Sequence, residues 1–287
     1  MRLVSFVADG GVQAGVRFES VAVPVASINE ACQTHFATDV WGLIQLGQLE
    51  ELAAVIADGQ ALQNGVQIPL SDLQLAPIYR HPRRIWGIGL NYREHAGDLQ
   101  AVHPTEEPAS FMKADTTVVG PGEPIVLPPQ SQRVTAEAEL CVVLGKTCRD
   151  VDVREVDRSI AGYAAVIDMT AEDILQRNPR FLTRSKNFDT FLSLGAELVT
   201  PDEVDDVGGL RVGTFRNGAL HRQNEVRNMT FSPAHLVAFH SQVMTWQAGD
   251  LLLTGTPGAV VIEDGDEAEC RIDGMLPLKN PVTRRRA

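Results

Sequence analysis

The sequence predicts an α+β fold in which a small amino-terminal α/β unit precedes a larger β-rich body. Three observations predict it. Most apolar runs are short, rich in β-branched residues and bounded by Gly, Pro or Asn-Gly, which is the pattern of strands. Helical spacing is sustained only over Val40 to Gly59 and Ser232 to Thr245, with shorter helical turns elsewhere. A stretch from Ile68 to Pro82 with prolines at 69, 77 and 82 reads as an extended linker, dividing an accessory unit (residues 1–75) from a catalytic one (76–287).

In order, RLVSFVAD, GVQAGVRF and SVAVPVAS form a short meander, broken at Gly10-Gly11 and Pro24. Trp41, Leu43, Ile44, Leu49, Leu52, Val55 and Ile56 then make one apolar helical stripe. Ile85 to Leu90 is a buried strand, and Asn91 caps a helical turn from Tyr92 to Leu99. The polar, aperiodic stretch up to Ser110 is a lid-like loop. Val134 to Leu144 is a strand closed by Gly145. Ile160 to Ile167 is another, ending at Asp168, with Thr170 as the cap of a helix that stops before Pro179. Asn217-Gly218 is a hairpin turn. Ser232-Pro233 opens a helix that buries Leu236, Val237, Phe239, His240 and Val243. DLLLTGTPGAV is a buried strand that opens into a Gly-rich loop, and a closing hairpin follows.

With 287 residues, 44% hydrophobic and 22% charged, the chain is an ordinary globular one. Its net charge of −12 argues against a nucleic-acid partner, which needs a basic face. No apolar run reaches the length of a membrane span, and the amino terminus is too short in apolar residues for a signal peptide, so a cytoplasmic location is expected. Cys32, Cys141, Cys148 and Cys270 show no paired spacing and are read as free thiols.

The chemistry-bearing residues are few. Glu137 and Glu139 are two apart on a strand, so both carboxylates project from one face, while Ala138, Leu140, Val142 and Leu144 line the other. Such a pair is either the solvated face of an edge strand or a site for a hard divalent cation: Mg²⁺, Mn²⁺ or Ca²⁺. Asp168 is either a third oxygen ligand or a helix cap. His95 and Asp98 share a helical face, as a general base and its orienting carboxylate do, and as surface pairs also do. Lys113 follows an apolar pair and can reach a pocket or snorkel to the surface. The backbone N–H groups and hydroxyls of the 254–258 loop can hold an anion, although the loop is not a nucleotide fingerprint.

Taken together, GLNYREHAGD (89–98), FMK (111–113), EAELCVVLGK (137–146), GYAAVIDMTAED (162–173), KNFDTF (186–191), AGDLLLTGTPGAV (248–260) and IDGMLPLKNPV (272–282) resemble the fumarylacetoacetate hydrolase family. The resemblance implies a mixed β-roll core, often behind a smaller amino-terminal domain. It also implies Mg²⁺- or Mn²⁺-dependent cleavage, decarboxylation or isomerisation of 2-oxo and 2,4-dioxo acids by a homodimer or higher homo-oligomer. By position it makes Glu137, Glu139 and Asp168 the metal ligands, and His95, Asp98 and Lys186 the catalytic groups. Tyr92, Lys113, Gly255 and Thr256 fall on the substrate side. The sequence departs from the family at Asp98, usually Glu, and at Thr135-Ala136, usually Asp-Tyr. It departs again at Ile167, commonly Asn, and at Leu175, often a substrate-facing Gln. The implied reaction is C–C hydrolysis of an acylpyruvate-like acid, in which the cation stabilises an enolate and His95 with Asp98 activates water. Decarboxylation, isomerisation or dehydration on the same site is the alternative. A ligand-binding homologue without activity is a reading of another class.

Overall fold

A computed structural model of the chain describes residues 1–8, 10–92 and 104–285. The amino-terminal strands β1 (Arg2–Ala8), β2 (Gly11–Phe18) and β3 (Val21–Pro24) form the expected meander, followed by α1 (Val25–Cys32). The single helix expected over residues 40–59 is two helices, α2 (Val40–Gln45) and α3 (Leu49–Ile56). Asp39 caps α2 by accepting the Gly42 N–H, and Gly47 turns the chain out of it at φ +66°. The apolar stripe is continuous across that break because both halves bury against the same surface. A short α4 (Gln60–Asn64) and β4 (Ile68–Pro69) complete this part.

The body contributes β5 (Ile85–Gly89), β6 (Ala109–Lys113), β7 (Val118–Val119), β8 (Ile125–Leu127), β9 (Val134–Leu144) and β10 (Ile160–Ala171). Next come α5 (Glu172–Arg177), α6 (Leu182–Lys186), β11 (Leu192–Leu194), β12 (Glu197–Val199), β13 (Arg211–Arg216) and β14 (Ala219–Glu225). The chain then runs through α7 (Pro233–Val243), β15 (Leu251–Leu253), β16 (Ala259–Ile262), β17 (Glu267–Ile272) and β18 (Leu278–Arg284). The turn between β13 and β14 has φ of +53° at Asn217 and +76° at Gly218, the left-handed pair that a two-residue hairpin needs. Ser232 caps α7 as expected, but Val243 is 62% exposed: it lies in the last turn, beyond the buried Leu236, Val237 and His240.

One mixed sheet runs β4-β3-β2-β1-β12-β10-β9-β15-β5-β6, with β11 and β16 pairing along β10 and β9 and β7 alongside β11. A second sheet runs β14-β13-β17-β18-β8. The amino-terminal meander is thus joined to the body, since β1 pairs antiparallel with β12, Arg2 opposite Val199. Leu3, Val16 and Leu43 also share a core with Cys141, Val143 and Leu253. The β9–β10 pair lies at the centre. Its even-numbered β9 residues (Ala136 to Leu144) pack in the core that includes β17, β18 and α7. Its other face meets the amino-terminal part. Every residue of β9 and β10 is therefore buried, which removes the solvated-edge reading of Glu137 and Glu139.

Candidate active site

The antiparallel register of β9 and β10 builds the site. Asp168 lies opposite Glu137, and Val166 opposite Glu139. Residues directly opposite share a face of the sheet, so Asp168 joins both glutamates. Carboxylate oxygens of the three lie within 4.8 Å of one another, and all three residues are buried. β10 runs on through Asp168 to Ala171, so Asp168 is a mid-strand residue and not the expected strand end. Thr170, expected to cap a helix, instead donates its hydroxyl to Glu137 Oε1 at 2.6 Å, and the cap position is Ala171. Thr135, opposite Thr170, donates to the same oxygen at 3.2 Å. Further along this face the residues turn apolar, at Cys141 and Val143. The Cys141 thiol lies outside the acidic cluster, and burial pushes its pKa well up.

Two lysines answer the buried charge. Lys186, at the end of α6, places Nζ 2.5 Å from Asp168 Oδ2 and 3.0 Å from Glu137 Oε2, and 4.8 Å from the centroid of the Phe111 ring. Burial works to lower its pKa, but Asp168, Glu137 and Glu139 outweigh that, so Lys186 stays firmly protonated. Lys113, on β6, donates from Nζ to Asp168 Oδ1 at 2.6 Å and to the Lys186 carbonyl at 2.5 Å. Burial pulls its pKa down against the attraction of Asp168. Glu139 accepts the Gly255 N–H on Oε2 at 2.7 Å. Burial and then the charge of Asp168 push its carboxyl well above the ordinary range.

Gly255 can donate because the loop approaches closely. It sits at φ +97°, and a Cβ there would lie 2.9 Å from the Asn91 Cβ. The Asn91 amide fastens the region, taking the Phe231 N–H and donating to the carbonyls of Phe231 and Thr254. An oxygen-only set of three buried carboxylates, one with its pKa raised by burial and then by its neighbours, fits a hard divalent cation such as Mg²⁺ or Mn²⁺. Ionised, with both lysines protonated, the cluster carries one net negative charge, which a divalent ion would make positive.

Above the carboxylates lies a cavity of about 430 Å³, lined by Glu137, Glu139, Lys186, Thr135, Thr170 and Thr256 and by apolar side chains of β5, β6, α5 and α6. Of the residues expected on the substrate side, Thr256 lines it, with its hydroxyl held to Gly258. Gly255 holds a carboxylate instead. Lys113 is buried behind the wall as a counter-ion to Asp168. Tyr92 is fully buried in the core, bridged to Met229, and its hydroxyl has no hydrogen-bond partner among the described residues. His95 and Asp98 lie outside the described residues, as does most of the lid expected between Tyr92 and Ser110. Glu172, Gln176 and Phe111 also line the cavity without having been singled out from sequence; Thr135 and Thr170, two positions from Glu137 and Asp168, were within reach of strand periodicity.

The model of the fumarylacetoacetate hydrolase carboxy-terminal domain matches residues 84–283. The chain belongs to the fumarylacetoacetate hydrolase family. It is 38% identical over 229 residues to an uncharacterized protein of Archaeoglobus fulgidus, covering 79% of this chain and 89% of that one. It is 36% identical over 225 residues to human mitochondrial oxaloacetate tautomerase FAHD2A, covering 75% of this chain and 71% of the relative. Among solved structures, maleylpyruvate hydrolase from Sphingobium sp. SYK-6, in complex with manganese(II) and pyruvate, superposes with a TM-score of 0.82 over 100% of both chains at 29% identity. The 2-hydroxyhepta-2,4-diene-1,7-dioate isomerase of Mycobacterium marinum does so with a TM-score of 0.77 at 28% identity, again over 100% of both chains. Relatives in this family are thus enzymes, and one structural neighbour holds Mn²⁺.

Proposed function

We propose that this chain is a divalent-metal-dependent enzyme of 2-oxo acids, and that its reaction is C–C hydrolysis of a 2,4-dioxo acid of the acylpyruvate type. The observation that carries the reading is the buried Glu137–Glu139–Asp168 cluster, with Lys186 beside it at the base of a cavity of about 430 Å³. Glu137, Glu139 and Asp168 would hold Mg²⁺ or Mn²⁺, which when bound supplies Lewis-acid stabilisation of negative charge on a keto oxygen. The protonated Lys186 adds a fixed positive charge for the substrate's 1-carboxylate or developing enolate oxygen. Such preorganised charge is worth most in a water-poor site. Thr135, Thr170 and the Gly255 N–H keep the glutamates in place.

His95, oriented by Asp98, would take a proton from water as its oxygen adds to the C4 carbonyl. The C3–C4 bond then breaks, its electron pair passes into the 2-oxo system, and a proton returns to C3. The products are pyruvate and a carboxylic acid. His95 and Asp98 enter this scheme from the sequence alone. Isomerisation, including keto–enol tautomerisation, is a second reading. The 36% identity to an oxaloacetate tautomerase favours it, and proton transfer needs a base but no attacking water.

Turnover of acylpyruvates and oxaloacetate with Mg²⁺ or Mn²⁺, with and without EDTA, tests the proposal. Pyruvate, CO₂ and diketone absorbance are followed. EDTA-sensitive release of pyruvate plus a carboxylic acid, abolished in His95→Ala, is the expected result. Keto–enol exchange of oxaloacetate without C–C cleavage would move the assignment to an isomerase, and CO₂ release alone to a decarboxylase.

A further inference from the structure

The wall of the cavity is of two kinds, and this bears on the tail of the substrate. Part of it is formed by the carboxylates Glu137 and Glu139. Among the described lining residues Lys186 alone is cationic, and it is engaged with Glu137 and Asp168. The remaining wall includes Leu90, Leu175, Pro179 and Leu182. Its polar side chains engage one another: Gln176 donates to Glu172 Oε1 at 3.2 Å, and Glu172, itself buried, pairs with the half-exposed Arg133. Among the described residues, the charged group on this part of the wall is thus a carboxylate already matched by Arg133, and no unpaired cation lines it.

We propose that the site takes 2-oxo acids whose tail is uncharged and apolar, and disfavours those ending in a second carboxylate. The inference rests on the reading of the cluster as a 2-oxo acid site. A terminal carboxylate placed among Leu175, Pro179 and Leu182 would lose its hydration without gaining a cation among the described lining residues, since the Arg133 beside Glu172 is already paired. A methyl or alkyl end would instead bury apolar surface against these leucines.

The test is calorimetric binding to the Mn²⁺-loaded protein of two acids with the same five-carbon chain, 2-oxopentanoate and 2-oxopentanedioate. They share the head and differ only in a terminal methyl or carboxylate. The expected result is at least about tenfold tighter binding of 2-oxopentanoate. Leu175→Arg should raise affinity for the dioate by about tenfold, since it supplies the missing cation. Glu172→Gln, a near-isosteric change, should raise it by a smaller factor and serves if the arginine variant does not fold. Equal or tighter binding of the dioate by the unaltered protein would overturn the proposal while leaving the 2-oxo acid reading intact. If Mn²⁺ binds and neither acid does, the 2-oxo acid reading itself falls, and this inference with it.

Discussion

Replacing Gly255 by alanine tests whether this loop is part of the metal site or only near it. Three costs can be set out from the structure. A left-handed backbone at φ +97° disfavours any side chain by roughly 1–2 kcal/mol. The new Cβ would lie 2.9 Å from Asn91 Cβ, and Asn91 cannot easily move aside, since its amide makes three hydrogen bonds of 2.8 to 3.0 Å. The loop must therefore shift, weakening the Gly255 N–H bond to Glu139, worth about 0.5–1.5 kcal/mol to a carboxyl that burial keeps from ionising in EDTA. Together these predict a loss of about 3 kcal/mol of stability, or roughly 6–12 °C in Tm for a chain of this size. Loss of a group that orients a metal ligand should also weaken Mn²⁺ binding by about 10–100-fold. Thermal unfolding in EDTA gives the first quantity and Mn²⁺ titration the second. An alanine variant with Tm unchanged within about 1 °C and unaltered Mn²⁺ affinity would refute the role assigned to this N–H.

Lys186→Met should lower turnover by about 100-fold or more, because it removes the fixed charge at the reacting end. Mn²⁺ binding should persist or tighten, since the ammonium no longer occupies Glu137 Oε2 and Asp168 Oδ2; loss of Mn²⁺ binding would show Lys186 to be structural. Glu139 gives a pH dependence whose sign is opposite to that of an ordinary paired carboxylate. Its folded pKa is raised by burial and by Asp168, so in EDTA its contribution to stability is present below the unfolded value near 4.5 and is lost as pH rises through the folded one. A cation needs the ionised form, so Mn²⁺ affinity should increase with pH, and binding below the raised folded pKa should release protons. Calorimetry in buffers of different ionisation enthalpy measures that release, and a value of zero would contradict the raised carboxyl.

The strands were legible because their length and residue types left little choice. β9 runs from Val134 to Leu144 as its sequence suggests, and Asn217-Gly218 turns where it should. The helices between 40 and 59 were legible as an apolar stripe but not as two pieces, because a stripe records which face is buried and not where Gly47 leaves the helix. What joins the first 75 residues to the body is also not legible locally. Composition shows a proline-rich connection at 68–82, but Arg2 pairs with Val199, far away in the sequence, and nothing local encodes that contact.

The same distinction separates the parts of the site. Period-two geometry places Glu137 and Glu139 on one face from sequence alone, and would have added Thr135 and Thr170 had it been carried one step further along each strand. Geometry alone could not say that Asp168 lies opposite Glu137, because register is a property of two strands; the family resemblance pointed to that residue instead. The resemblance was less informative about the lysines. Both carry charge into one pocket region in sequence terms, yet Lys113 is spent on Asp168 Oδ1 and the carbonyls of Met169 and Lys186, whereas Lys186 touches the same carboxylate from the cavity side. What distinguishes a buried counter-ion from a cavity-facing cation is which side of the carboxylate it approaches. That is settled by β6 ending behind Asp168 and α6 ending in front of it.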